Sequence, residues 1–297
     1  MSEGRIVAGC LSPHPPHLVY AANPQANEPQ ASGSGAWKPL ADGYTTLKAR
    51  LSDLDYDVVI VHTPHWKTTI GHHFLGVPHF DGFSVDPVFP NLFRFKYELD
   101  IDVELAELLA AEASDRGLVT SMMRNPDFRV DYGTLTCCQL ALPNPFEKPM
   151  VVLSSSNPYH YFSNDVGDRE MLALGHATRA AVAKSGRKAL LLASTSMSHR
   201  HFTEEPDDPE DPRFEYIYNN NQLAWDKRML TLMKSGRCAQ ILAEMPDFIQ
   251  QSVSECKEGG FTWLLGALDV PDYPALVHGY GSVIGTGNAI VEWRPQP

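Results

Sequence analysis

No stretch of this sequence approaches the ~20 consecutive apolar residues that a membrane-spanning helix needs. Basic residues are scarce: Lys+Arg number 24 against 36 Asp+Glu, a formal charge of −12. That balance argues against a nucleic-acid or anionic-membrane partner, since phosphate contacts need clustered Lys and Arg. Cysteine is sparse too. The five (Cys10, Cys137, Cys138, Cys238, Cys256) form no CxxC pair and are odd in number, which fits free thiols in a reducing cytoplasm and speaks against a thiolate zinc site. Met1 to Leu11 is too short in apolar run and too weakly basic for a signal peptide. The expectation is a cytoplasmic protein with no membrane segment.

What the chain does have is ordinary globular material, with 43% hydrophobic and 20% charged residues. That is enough to bury a sizeable core. Ile6 to Leu11 reads as a buried strand running into the proline-stiffened loop Ser12-Pro13-His14-Pro15-Pro16-His17. Residues 21–37 read as a surface loop. Leu40 to Leu54 carries helical spacing, and Asp57 to His62 is a second apolar strand, so the order suggests a βαβ unit with a parallel sheet. Val103–Ala113 and Met171–Lys184 read as helices. Leu118–Met122, Met150–Ser155 and Ala189–Ala193 read as strands. Gln222 to Leu268 is mostly helical, the acidic stretch Glu204 to Asp211 is a loop, and Val283 to Trp293 is a closing strand or hairpin interrupted by Gly285 and Gly287. With no repeat and no boundary, residues 1–297 form one α/β domain, a central mostly parallel sheet flanked by helices on both faces.

The histidines fall where chemistry is expected. Three strands end in them: His14 with His17, His62 with His65, and His199 with His201. The carboxyl ends of strands line the ligand crevice of open α/β sheets, so these residues converge although they are far apart in sequence. Two imidazoles and one carboxylate on one face of a metal leave other positions open, the arrangement that non-haem Fe(II) oxygenases use. Glu255 and Glu258 are the carboxylate candidates, and residue chemistry alone does not choose between them. Each of these residues also has a bland reading, as a loop histidine or a solvated helix charge.

The segments Ser12 to His17, Val58 to His65, Arg129-Val130-Asp131-Tyr132-Gly133, Ser196-Met197-Ser198-His199 and Glu255 to Trp263 together carry a resemblance. The chain resembles the class III (LigB-type) extradiol ring-cleavage dioxygenases over nearly its whole length. The resemblance implies Fe(II) held by His14, His65 and a glutamate, with His199 as acid/base beside the open positions. Protocatechuate-cleaving members have a histidine where this chain has Tyr132. A tyrosine there is similar to the aminophenol-cleaving members, as are Asn-Pro-x-Phe-Arg-Val-Asp-Tyr-Gly, Gly-His-His-Phe-Leu-Gly-Val-Pro and Gly-x-Val-Ile-Gly-Thr-Gly-Asn-Ala. In those members the ligand sits at the position of Glu255 and the counterpart of Glu258 is not acidic. Glu255 is therefore preferred, with Glu258 as the fallback.

The resemblance thus implies that a small aromatic substrate (2-aminophenol or a substituted aminophenol or catechol) and O₂ yield a muconic semialdehyde, with Tyr132 hydrogen-bonding substrate or oxygen. It also implies a hetero-oligomer with a paralogous α subunit, or a homo-oligomer. Alternatives are a non-catalytic partner subunit, and a zinc-dependent hydrolase on the same residues, since two histidines and a glutamate also suit Zn²⁺. His17 and His62 stand near the expected ligands and could orient substrate or support the ligands from behind, a supporting or structural role being favoured over ligation. His72 and His73 are packed or line a pocket. His201, two residues beyond His199, would face away in an extended segment.

Overall fold

The computed structural model describes residues 3–22, 37–68, 70–87, 90, 94–155, 164–201 and 215–295. The expected loops at 21–37 and 204–211 fall almost wholly outside them. Eight strands form one sheet. In chain order they are β1 (Arg5–Leu11), β2 (Val58–Thr63), β3 (His72–Leu75), β6 (Thr120–Met123), β7 (Met150–Ser154), β8 (Lys188–Ala193), β9 (Leu276–Val283) and β10 (Thr286–Trp293). Across the sheet they run β6-β3-β7-β2-β8-β1-β10-β9. The centre, β7-β2-β8-β1, is parallel, while β3 meets β7, and β10 meets β1 and β9, antiparallel. β1 and β2 are joined through a helix as expected, but β8 lies between them.

Apolar side chains alternate along β2 to serve two cores. Val58 and Ile60 face one, Val59 and Val61 the other, the period-2 pattern of a strand buried on both faces. The first core is closed by α3 (Val103–Asp115), α5 (Asn164–Ser185), α6 (Asn220–Lys234), α7 (Cys238–Ser252) and α8 (Gly259–Ala267). The second is closed by α2 (Lys38–Leu51), α4 (Tyr132–Ala141) and a separate two-stranded sheet of β4 (His79–Val85) and β5 (Arg94–Asp100). Helices thus flank both faces, as the periodicity predicts.

Several elements differ from the sequence reading. The Pro13-to-His17 segment is not all loop, because a short helix, α1 (Pro16–Ala22), begins at its third proline. Proline is tolerated at the first helical position, where its missing N–H costs nothing. β3, β4 and α4 carry no periodic signal strong enough to be read, whereas β5 is absent from the sequence reading although Phe95, Tyr97 and Leu99 alternate with charged residues along it, the period-2 pattern of a half-buried strand. Gly285 does not break the closing hairpin but forms its turn with Ile284 (φ 80° and 48°), the positive-φ pair of a tight hairpin.

The last strand is tied down by a buried carboxylate. Glu292 on β10 is ion-paired with Arg50 of α2 (2.6 Å), with His278 of β9 (2.9 Å) and with Arg294. Burial alone would raise its pKa, but these partners hold it down at about 2. A carboxyl depressed in the folded state stabilises the fold above its ordinary pKa, and that stability is lost as pH falls through the depressed value. Stability against unfolding should therefore fall from pH 4.5 to about 2, by roughly 3 kcal/mol for this group alone. In Glu292→Gln that acid limb should flatten. An unchanged acid limb in the variant would refute the assignment.

Candidate metal centre

The strand order β2-β8-β1 sets three carboxyl ends side by side, and the segments after them carry His65, Ser194 to His199, and His14. The Nε2 atoms of His14 and His65 lie 2.7 Å apart, and Oε1 of Glu255 is 3.1 Å from the first and 3.3 Å from the second. Among the described residues these three form the group whose ligand atoms all lie within 4.8 Å of one another. The described atoms do not include the side chain of Glu258.

Each donor is aimed by a specific neighbour. The Ser194 hydroxyl has one proton, which goes to the Gly133 carbonyl at 2.9 Å, so toward Nδ1 of His14, also at 2.9 Å, it can only accept. His14 therefore carries its proton on Nδ1 and presents the Nε2 lone pair, the second contact that metal-ligating histidines require. Glu255 opens a 3-10 turn (Glu255–Glu258) after α7 ends on Val253 in the left-handed region, φ 51°. One of its oxygens accepts from the Ser196 N–H at 2.7 Å, leaving the other for the histidines.

His65 and Tyr132 are set together by Asp131. This residue caps α4 by accepting from Thr134 N (3.0 Å), and the same Oδ1 accepts from the Thr63 hydroxyl at the end of β2 (2.6 Å). The N-cap thereby fastens the α4 N-terminus, where Tyr132 sits, to the segment holding His65. Tyr132 Oη lies 3.0 Å from His65 Nε2. Gly133 is required by close approach: a Cβ there would stand 2.8 Å from the His65 ring and 3.1 Å from Asp131 Oδ1.

The electrostatics suit a cation. Burial would raise the Glu255 pKa, but His14, His65 and His199 hold it well below the usual carboxylate range. Burial lowers the His14 pKa, yet Glu255 beside it raises it overall, whereas His65 is lowered by burial and by His14. Two imidazole nitrogens and a carboxylate oxygen at this spacing form a donor set for Zn²⁺ or Fe(II) that leaves other positions open.

His199 stands just outside, with Nε2 3.9 Å from Glu255 Oε1. Burial drives its pKa down to about 4, so the ring is neutral and able to accept a proton at ordinary pH. The donors open into a pocket of about 180 Å³, whose wall also includes His17, Asp86, Ser196 and the β9–β10 residues Ile284 and Asn288. Asp86 and the hairpin residues were not among the sequence candidates. Asp86 follows a strand that the sequence did not announce, and the hairpin reaches the site only through the order of the sheet.

The other histidines sort themselves. His17 lines the pocket, but strand alternation turns His62 to the opposite face, where it stacks on Trp263 at 5.5 Å. It is therefore not placed to orient a substrate. His72 is packed, with Nδ1 2.7 Å from Ser155 Oγ, and His73 approaches the Ile70 carbonyl. His201 does not face away: its ring stacks on His199 at 4.5 Å, as side chains two residues apart share a side along an extended backbone.

A two-histidine, one-carboxylate group at the carboxyl edge of an α/β sheet, opening into a pocket, is a site that could hold one metal ion, as in metal-dependent enzymes of the α/β class. A family profile described as the catalytic LigB subunit of aromatic ring-opening dioxygenase matches residues 8–291. The chain belongs to this family and is an extradiol ring-cleaving dioxygenase. It is 49% identical over 294 residues to the 2-aminophenol 1,6-dioxygenase beta subunit of Pseudomonas sp., covering 99% of this chain and 95% of that protein. It is 24% identical to the alpha subunit from Pseudomonas sp. (87% and 91% covered) and 22% identical to 3,4-dihydroxyphenylacetate 2,3-dioxygenase of Escherichia coli (92% and 94%). The crystal structure of an uncharacterised Escherichia coli K12 protein shares the fold, with TM-score 0.62 at 13% identity over 96% of this chain and 99% of that one. Among the described residues no helix is long and apolar enough to cross a membrane.

Gly133→Ala should push the His65 ring out of the donor set. Titration with Co²⁺, followed by its visible spectrum, should show affinity reduced by 10- to 100-fold, the range seen when the support of a metal ligand is lost (~10–100-fold). Unchanged affinity would mean that His65 does not bind the ion.

Proposed function

We propose that the whole chain, residues 1–297, is one catalytic domain that binds Fe(II) through His14, His65 and Glu255 and opens the ring of 2-aminophenol or a close relative with O₂. The observation that carries this reading is the open donor set, with Tyr132 and His199 on its exposed side. A complete set also counts against the non-catalytic partner subunit. The beta and alpha subunit names of the relatives support assembly with a paralogous α chain, and the sequence reading supports a cytoplasmic setting.

Held by His14, His65 and Glu255, Fe(II) would supply the redox chemistry that O₂ activation requires. The residues supply the rest. The pocket volume of about 180 Å³ suits a single ring, since a cavity of ~150 Å³ holds benzene. His199, neutral at ordinary pH, can take the proton that a substrate hydroxyl gives up and return it when the O–O bond breaks. The Tyr132 hydroxyl, at the metal-facing nitrogen of His65, is placed to hydrogen-bond a ring substituent or oxygen. The ring opens outside the two heteroatom-bearing carbons, giving a semialdehyde.

Glu255→Ala should lose iron from anaerobically purified protein while Glu258→Ala keeps it. His199→Asn should keep iron and bind substrate, with turnover down ~10²-fold or more. Iron loss in His199→Asn would mean a misassigned ligand set, near-normal turnover would remove the proton carrier, and zinc without oxygen uptake would favour a hydrolase.

The pocket wall adds to the substrate argument. The wall includes Asp86 and Glu255, both buried, and no Lys or Arg is among its described lining residues. A ring carboxylate would be buried there with no Lys or Arg in the described wall to meet it, which costs several-fold or more in binding. Oxygen-uptake kinetics should therefore give kcat/KM in the order 2-aminophenol, catechol, protocatechuate. The reverse order would reject the substrate assignment.

A further inference from the structure

The imidazole of His199 lacks the partner that usually orients a working histidine: among the described residues, Nδ1 is buried without a hydrogen bond. Its aim then comes from the His201 ring stacked on it at 4.5 Å and from its backbone, and the backbone is gripped by one helix. Gln222 and Asp226 lie four apart on α6, hence on one face. Gln222 Nε2 donates to the His199 carbonyl (3.1 Å) and the Ser252 carbonyl (2.9 Å), and the His199 N–H itself donates to Ser252 (3.3 Å). Asp226, fully buried, accepts from the Ser198 N–H (2.9 Å), the Ser198 hydroxyl (2.7 Å) and Tyr280 Oη (2.7 Å). From the other side, β10 binds the same segment through Met197 N–H to Gly287 O (2.8 Å) and Gly287 N–H to Ser198 O (2.9 Å).

The packing leaves Asp226 little choice of place. A Cβ at Gly287 would stand 2.0 Å from Asp226 Oδ2 and 2.7 Å from Ser198 Oγ, so the glycine is what lets the strand backbone approach the carboxylate. The carboxylate is also costly to keep, since burial pushes its pKa up to about 6 against the pull of its three donors. Three donors converging on an acceptor-only group require a carboxylate. An amide has a single acceptor oxygen, and its NH₂ would face N–H and O–H groups.

We infer that Asp226, with Gln222 one turn earlier, is a positioning residue for His199, fixing through Ser198 and the His199 carbonyl where that imidazole reaches into the pocket. The inference rests on the proton-carrying role proposed for His199. Displacing a reacting group by an ångström costs up to ~10²-fold in rate, so Asp226→Asn should lower kcat by about 10- to 100-fold with KM and iron content little changed. Gln222→Met, which leaves Asp226 in place, should give a smaller loss of the same kind.

The deciding experiment is a double-mutant cycle on iron-loaded protein, with kcat per bound iron measured for each single variant and for both α6 variants combined with His199→Asn. If Asp226 and Gln222 act through His199, their substitutions cost nothing further in the His199→Asn background. Additive losses, or loss of iron in either α6 variant, would overturn the inference and make the pair a scaffold. His199→Asn with wild-type turnover would instead sink the proton-carrier role, and this inference with it. Should Asp226→Asn fold poorly by its thermal transition, the Gln222→Met cycle decides alone.

Discussion

The site depends first on the parallel pairing of β8 between β1 and β2. Arg5 to Leu11 pairs along β8 from Lys188 to Ala193, and Val58 to His62 pairs with Ala189 to Ala193 on the other side. Because all three strands run the same way and end at the same level, the residues that follow them meet: His14, His65 and Ser194. The pairing is held by side chains buried on both faces. Slipping β8 by one residue would turn its whole inward set to the wrong core, so apolar packing on both faces resists a shift in where the donors meet.

On that edge, polar contacts convert proximity into chemistry. Ser194 spends its single proton on the Gly133 carbonyl and thereby selects the tautomer of His14. Asp131 ties the end of β2 to the start of α4 and so couples His65 to Tyr132. Both bridges run between β-strand ends and the same α4 N-terminus. The Val-Asp-Tyr-Gly segment is thus less a binding motif than a clasp, in which Asp131 caps, Tyr132 faces the donors and Gly133 yields space to the His65 ring.

Much of this was legible in the sequence, for identifiable reasons. Continuous apolar runs marked the central strands, and proline and histidine after them marked their ends, so the sheet, the helices on both faces and the convergence of three strand-end histidine pairs could be read from pattern, while the choice of His14, His65 and His199 among them came from the family resemblance. The β4–β5 sheet was not read: β4 sets only Phe80, Gly82 and Ser84 on its inner face, a weak signal, and the alternation of Phe95, Tyr97 and Leu99 along β5 stands alone. With it went Asp86. Of the two roles open to His62, orienting substrate falls away, because strand alternation sends it to the other face, against Trp263. His201 was misjudged because side chains two residues apart share a side along a strand, where the reading had them opposed. Neither Ser194 nor Asp226 could be singled out, since a serine or aspartate acquires its role here only from contacts made across the fold.

The pocket gathers features that cost stability in an apo-like balance. Two imidazole nitrogens face each other at 2.7 Å, buried carboxylates sit at Glu255 and Asp226, and Ile284 holds a left-handed φ of 48°, a conformation that costs a β-branched residue of order 1 kcal/mol or more. Such costs persist only where surrounding structure over-determines them. Here the surroundings are the two cores and the Glu292 tie on the strand that carries Asn288. On the proposed reading, a divalent cation among the donors would draw both nitrogens to itself in place of their contact with each other and would match the negative charge of Glu255. Binding would then favour the folded state by mass action. The donors' pre-alignment and the stability of the holo-protein are therefore the same free energy, measured once as affinity and once as resistance to unfolding.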